Sequence, residues 1–211
     1  EEMNRRLTGA LASIHFAPTA QAKENLLREG IAANMVHVTG NTVIDALLNV
    51  AENLKKNAAA RTALDTQFSF LDAGKKLILV TGHRRENFGD GFERICKALA
   101  TLAARADVEI LYPVHLNPNV REPVKRLLGA HPAIHLIAPQ EYLAFVYLMQ
   151  RSYLILTDSG GVQEEAPSLG KPVLVMRDVT ERDRLVAELA ASEATGRFLT
   201  DNSTDILVRV D

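Results

Sequence analysis

Two hydrophobic patterns take turns along this chain. Short continuous apolar runs recur at Leu77–Val80, Val108–Tyr112, Ile134–Ile137, Tyr153–Leu156 and Val173–Met176. Each has the length of a strand, and none shows the apolar–polar alternation of a strand with one wet face. Between the runs, apolar positions follow helical spacing: Phe92, Ile95, Cys96, Leu99, Leu102 and Ala103; then Val120, Val124, Leu127 and Leu128; then Tyr142 to Met149. Strands buried on both faces, alternating with amphipathic helices, predict an α/β fold. The expected architecture is a doubly wound, Rossmann-like parallel sheet over roughly residues 70–200.

Upstream the pattern changes. Residues 2–12 read as helix, Ser13–Phe16 as strand, Ala20–Arg28 as helix and Val36–Val38 as a short strand. Val43, Ile44, Leu47, Leu48, Ala51 and Leu54 place one apolar face on a helix from Val43 to Leu54. Residues 57–75 are polar and alanine-rich, and no element is predicted there. Thr39-Gly40-Asn41 is a natural junction between two lobes. The first residues, Glu1-Glu2-Met3-Asn4-Arg5-Arg6, open directly into a helical pattern, so the chain is expected to begin partway through a larger fold.

Charge narrows the partners. A net charge of −2 and a pI near 6.4 leave no dominant basic surface, which argues against nucleic acid. Cys96 is the single cysteine, so no disulfide or thiolate metal cluster forms within the chain; its place on an apolar stripe makes it core filler. No apolar run is long enough to span a bilayer and no signal peptide is visible, so the cytoplasm is the expected compartment and no membrane partner is expected.

In an open parallel sheet, ligands bind beyond the carboxyl ends of the strands. Every predicted strand here ends in unusual polar residues: Thr81-Gly82-His83-Arg84-Arg85-Glu86-Asn87, Pro113-Val114-His115-Leu116-Asn117-Pro118, Pro139-Gln140-Glu141, Asp158-Ser159-Gly160-Gly161, and Arg177-Asp178-Val179-Thr180-Glu181-Arg182. Such a rim suits a charged, hydroxyl-rich ligand. Arginines 84, 85, 177 and 182 can neutralise a diphosphate. His83 can move a proton near neutral pH. Gln140 can donate and accept on one edge, which suits uracil, and Tyr142 or Phe145 can stack on a base. Phe145 also fits the apolar face of its helix, and a strand-end histidine is often structural. His15, His37, His131 and His135 lack charged company and read as surface or packing residues.

The fourth strand end is the most informative. A helix start offers unpaired backbone N–H groups that attract anions, and glycines let a phosphate come close. Glu164 and Glu165 follow Ser159 by five and six residues, which puts them about 9 Å along the axis at about 1.5 Å per residue. A carboxylate there can accept hydrogen bonds from sugar hydroxyls while the helix mouth holds phosphate. The plainer alternative is that Ser159 or Asp158 merely caps the helix. No closely spaced histidine–carboxylate cluster suggests a metal, and no Gly-x-Gly-x-x-Gly turn suggests a nicotinamide cofactor.

With Gly40-Asn41-Thr42-Val43-Ile44-Asp45-Ala46-Leu47 and Gly170-Lys171-Pro172-Val173-Leu174-Val175-Met176-Arg177-Asp178 added, the strand-end motifs stand in an order that resembles the bacterial non-hydrolysing UDP-N-acetylglucosamine 2-epimerases. The resemblance runs from Glu1 to Arg182. It implies the carboxyl-terminal half of a two-lobed, glycosyltransferase-B-like fold: residues 1–41 a remnant of the amino-terminal lobe and the interlobe junction, and residues 42–211 a Rossmann-like UDP-binding domain, incomplete at its end. It implies interconversion of UDP-N-acetylglucosamine and UDP-N-acetylmannosamine for surface polysaccharides. The route is anti-elimination of UDP and re-addition, with no redox cofactor or metal.

Residue by residue, the resemblance matches Ser159, Gly160 and Gly161 to a diphosphate-binding turn, Glu165 to the acid that holds ribose, Gln140 and Phe145 to uridine-side contacts, and Arg182 to a diphosphate contact. His83 and Glu1 match catalytic positions. Arg84 and His115 match positions that bind a second UDP-N-acetylglucosamine as activator. Family members are usually homodimers. Asp183 to Ala190 departs from the family pattern, with a weaker echo at Glu193–Leu199. Because the family draws further acid, base and basic residues from the preceding lobe, this chain alone is expected to be inactive. Two alternatives stay open: a UDP-sugar glycosyltransferase of the same fold, and a non-catalytic UDP-binding fragment.

Overall fold

The computed structural model describes residues 2–82 and 90–176. It separates into two compact units, Glu1–Asn49 and Val50–Asp211. In the first, α1 (Glu2–Leu11) leads to β1 (His15–Ala17), α2 (Ala20–Arg28), a short 3-10 turn at Ala33–Met35 and β2 (Val36–Val38). β1 and β2 pair in parallel, His15 beside Val36 and Ala17 beside Val38. Thr19 caps α2 by accepting the Ala22 N–H at 3.1 Å. Arg5 donates to both Glu2 and Glu29, tying α1 to the end of α2. No residue of α1 is buried, and Met3, Leu7 and Leu11 stand exposed in one line along it.

The boundary between the units falls within α3 (Thr42–Lys56). Gly40 turns the chain into this helix with a φ of 79°, a conformation that glycine adopts freely, and the Asn41 side chain accepts the Val43 N–H. The buried line of α3 is Leu47, Ala51 and Leu54; Val43 and Leu48, predicted on the same face, are exposed.

The second unit is the α/β domain. After α3 come α4 (Ala58–Gln67), β3 (Lys76–Thr81), α5 (Asp90–Ala103), β4 (Val108–Pro113), α6 (Pro118–Leu128), β5 (Ile134–Ile137), α7 (Tyr142–Arg151), β6 (Leu154–Thr157), α8 (Gly160–Ser168) and β7 (Val173–Val175). The strands form one parallel sheet in the order β5-β4-β3-β6-β7. The order reverses beside β3, where the first crossovers run to β4 and a later one returns to β6. Five predicted strands are all present, with ends differing slightly. Tyr153, for instance, is an exposed residue ahead of β6, where the Lys76 ammonium sits 5.4 Å from its ring centre.

One core layer joins Ile78, Val80, Ile110 and Tyr112 of the sheet to Phe92, Cys96 and Leu99 of α5 and to Val120, Val124 and Leu128 of α6. Side chains alternate along a strand, so Leu77, Leu79 and Leu111 face the other side, where α7 packs on β3. That two-sided burial is why these strands read as unbroken apolar runs. Cys96 is fully buried, and burial pushes its thiol up to about 12, in keeping with a packing role.

α4 is the element that the pattern did not predict. Of its residues only Leu64 is buried, so it carries no apolar stripe to read. Alanines favour the helix, and the Asn57 side chain caps it by accepting the Ala60 N–H at 3.0 Å. The segment after it is pinned from below. Glu109, buried on β4, accepts the Asp72 N–H at 2.9 Å and pairs with His135 at 2.7 Å, and the Arg151 guanidinium donates to the carbonyls of Phe68 and Leu71.

Candidate functional site

The carboxyl ends of β3, β4, β6 and β7 meet at Gly82. The buried Tyr112 hydroxyl, at the end of β4, donates to the Gly82 carbonyl at 2.9 Å. A Cβ on Gly82 would lie 3.1 Å from the Tyr112 hydroxyl, 3.2 Å from the Met176 methyl group and 3.8 Å from an Asp158 carboxylate oxygen. Glycine is therefore the residue that lets the four strand ends close together. Burial, with smaller contributions from Cys96 and Asp158, keeps the Tyr112 hydroxyl well above the usual phenol range, so it stays a donor.

Above this floor, the Thr81 and Thr157 hydroxyls bond each other across β3 and β6. The Asp158 N–H donates to the Thr81 carbonyl, and the Ser159 N–H donates to the Thr157 hydroxyl at 2.9 Å. The turn from β6 into α8 is thus fixed by its own backbone. Asp158 is buried here. Ser159 occupies the N-cap position of α8 with extended backbone, yet its hydroxyl makes no capping bond. Thr19, Asn57 and Asn117 do cap α2, α4 and α6 through their side chains. α7, which starts at the same rim, also lacks a side-chain cap. At α7 and α8, then, the N-cap side chain does not take up the first N–H groups of the helix.

Glu165 lies one turn and a half into α8 and is only 8% exposed. The Tyr142 hydroxyl, from the first residue of α7, donates to it at 3.2 Å. Burial raises the Glu165 pKa above the ordinary carboxylate value; the Tyr142 bond opposes this, and Glu164 nearby adds to it. A buried carboxylate with one weak donor retains unused acceptor capacity, which suits ligand hydroxyls. Tyr142, a base-stacking candidate by sequence, is 41% exposed and directs its hydroxyl to Glu165.

Gln140 stands just before α7. Its amide nitrogen donates to the Ala138 carbonyl at 2.7 Å, and its oxygen accepts from Gln67 of α4 at 3.0 Å. Phe145 follows Tyr142 on the same side of α7 and is half-buried, outside the main core layer. His115 is exposed after β4, and its Nδ1 accepts the Asn117 N–H at 3.1 Å. His135 packs against Phe70 and Glu109, as a structural histidine. Glu1, His83, Arg84 and Arg182 lie outside the described residues, as do Arg85, Arg177 and the segment 183–211. Among the described residues no group of His, Cys, Asp and Glu is placed to hold a metal ion, and no helix is long and apolar enough to cross a membrane.

Gln67, Tyr112 and the Thr81–Thr157 pair are the site elements that sequence reasoning missed. Tyr112 and Thr157 had a signal, since each puts a polar tip at the end of an apolar strand. Gln67 had none.

The chain is similar to known proteins along most of its length. The family model for UDP-N-acetylglucosamine 2-epimerase matches residues 1–197, so the match extends past Arg182, where the sequence motifs break off. The UDP-N-acetylglucosamine 2-epimerase of Yersinia pestis is 62% identical over 187 residues, covering 88% of this chain and 50% of that protein. The chain therefore spans about half the length of such relatives. The crystal structure of UDP-GlcNAc 2-epimerase from Neisseria meningitidis bound to UDP-GlcNAc superposes with a TM-score of 0.78 at 53% identity, over 89% of this chain and 50% of that one. The wall teichoic acid polymerase TagF, at 18% identity and a TM-score of 0.52 over 83% of this chain and 42% of that one, shares the fold alone. The sheet is the Rossmann-like carboxyl-terminal half of a glycosyltransferase-B-type fold, and by a match that covers nearly its whole length this chain belongs to the UDP-N-acetylglucosamine 2-epimerase family.

Proposed function

We propose that this chain supplies the UDP-holding half of an enzyme that interconverts UDP-N-acetylglucosamine and UDP-N-acetylmannosamine, an isomerase serving bacterial surface polysaccharide synthesis in the cytoplasm. One observation carries the reading: an α8 mouth that the Ser159 hydroxyl does not cap and the buried Glu165, with one hydrogen bond among the described residues, share one helix at the carboxyl edge of the sheet. The diphosphate sits on Ser159, Gly160 and Gly161, where backbone N–H groups and the helix dipole favour negative charge. Glu165 accepts from the ribose hydroxyls. Gln140 and Phe145 border the uracil, and Arg182 adds a cation to the diphosphate.

In the reaction, the C2 proton leaves as the anomeric C–O bond breaks, and UDP departs with the bonding electrons. Re-addition with protonation on the opposite face of C2 gives the epimer. The turn at Ser159 and the Arg182 guanidinium stabilise the charge that grows on the departing diphosphate. His83 and Glu1 serve this chemistry, while Arg84 and His115 border an activator site for a second nucleotide sugar. The route needs no redox cofactor or metal.

The domain reading is that residues 1–41 belong to a preceding lobe and residues 42–211 to the UDP lobe. Its support lies in the first unit. A two-stranded parallel sheet is too small to be stable alone; Met3, Leu7, Leu11 and Phe16 are exposed; and the His15 Nε2 is buried without a partner among the described residues. The assembled enzyme is a homodimer, as is usual in this family.

Calorimetry with UDP and NMR of the sugar ring protons test the reading on these 211 residues. UDP binds with a stoichiometry of one, and UDP-N-acetylglucosamine is not turned over unless the preceding lobe is supplied. Failure to bind UDP overturns the site. Mannosamine product from this chain alone overturns the division of labour, and transfer of the sugar to an acceptor would point to a glycosyltransferase.

A further inference from the structure

At the opposite edge of the sheet the second unit holds a cavity of about 690 Å³. Leu71, Arg151 and Lys171 line it, and these residues lie ahead of β3, β6 and β7. The strands are parallel, so all three stand at the amino edge, roughly 20 Å from the Ser159 turn at about 3.3 Å per residue of strand. The buried Leu54 and Leu71 contribute apolar floor. The charged lining is one-sided: Lys55, Arg61, Arg151 and Lys171 against Asp65 alone.

Two of these cations are held in place. Arg151 donates one N–H each to the Phe68 and Leu71 carbonyls, and the Lys171 ammonium donates to the Ser152 carbonyl at 2.9 Å. A guanidinium has five N–H donors and an ammonium three, so both keep donors beyond these bonds. Lys55 and Arg61 are exposed, and neither side chain has a hydrogen bond or ion pair to another described residue. The lone acid is already engaged, because Asp65 accepts the Tyr147 hydroxyl at 2.6 Å. Anchored donors, unneutralised charge and an apolar floor together describe a receptor for an anion.

We propose that this cavity is a second ligand site, distinct from the UDP site, that takes a molecule bearing phosphate groups. α7 links the two sites, since its first residue reaches Glu165 and its last, Arg151, lines the cavity.

The test is an NMR titration of the ¹⁵N-labelled chain with inorganic pyrophosphate, and with ADP in a parallel arm. The amides of Leu71, Arg151 and Lys171 should shift and saturate, and the tighter of the two probes identifies an inorganic or a nucleotide ligand. Signals from Gly160 and Gly161 report the UDP site separately, so either reading can fail without the other. Lys55→Ala with Arg61→Ala removes exposed side chains and should weaken the cavity response by at least about tenfold, leaving the response to UDP at Gly160 unchanged. The proposal falls if the cavity amides stay still up to about 10 mM of both probes, where even a millimolar site saturates. It falls equally if the double variant binds as the parent does.

Discussion

Replacing Glu165 by alanine probes the centre of the proposed UDP site, and its effect can be worked from the geometry. Glu165 is 8% exposed, and among the described residues its carboxylate receives one bond, from Tyr142 at 3.2 Å. Its desolvation is already present in the unliganded protein, as its raised pKa records. Ribose hydroxyls arriving there gain charge-assisted hydrogen bonds without a further burial penalty on the acid. Hydrogen bonds to charged groups contribute about 1.5–3 kcal/mol each in net terms, so UDP affinity should fall roughly 10- to 150-fold at about 1.4 kcal/mol per decade. Calorimetry with UDP and with its 2′-deoxy analogue separates a ribose contact from general damage. The parent should discriminate between the two ligands, and Glu165→Ala should lose that discrimination. If the variant weakens both equally, the carboxylate does not hold the ribose and the argument from burial fails.

Two further outcomes follow. Glu165 has a raised folded-state pKa, so the folded protein favours its protonated form; its contribution to stability is fully present below the unfolded value and lost as pH rises through the folded one. Glu165→Gln should therefore raise the thermal midpoint at neutral pH while weakening UDP binding, and in the parent UDP affinity should fall as pH drops through the raised pKa; a midpoint that falls in the variant counts against this. Glu109→Ala strands the Asp72 N–H and leaves the His135 ring without its acceptor, and a buried polar group left unsatisfied costs about 1–3 kcal/mol, whereas Glu109→Gln keeps an acceptor and should cost less. Urea unfolding measures both, and equal losses would mean that the acceptor geometry does not matter.

What could be read from the sequence was whatever repeats or clusters along it. Two-sided burial produces unbroken apolar strands, so β3 to β7 stood out, and the parallel order that they imply points to the carboxyl edge as the place to expect a ligand. α4 was not legible because it buries one leucine and relies on alanine propensity and the Asn57 cap. The partner of Glu165 was not legible either. Tyr142 and Glu165 are far apart in sequence and meet only because α7 and α8 begin at the same rim. The role of Gln67 depends on α4, so missing the helix meant missing the residue that orients the Gln140 amide.

The parallel order also explains why the two proposed anion sites on one domain are built differently. Helices that follow parallel strands start at the carboxyl edge and finish at the amino edge. Their N-termini carry partial positive charge and their C-termini partial negative charge. At the carboxyl edge, α8 can hold phosphate with glycine backbone and a serine, and the described residues of that turn include no cation. At the amino edge the helix ends repel an anion, so attraction has to come from side chains. Helix chemistry alone accounts for Lys55, in the last turn of α3, because a cation there is favourable. It does not account for Arg61, which stands near the start of α4 where a cation opposes the dipole. Arg61→Ala should then leave the thermal midpoint unchanged or slightly higher while reducing pyrophosphate affinity at the cavity. A loss of stability without a loss of pyrophosphate binding would assign the arginine to the fold rather than to a ligand.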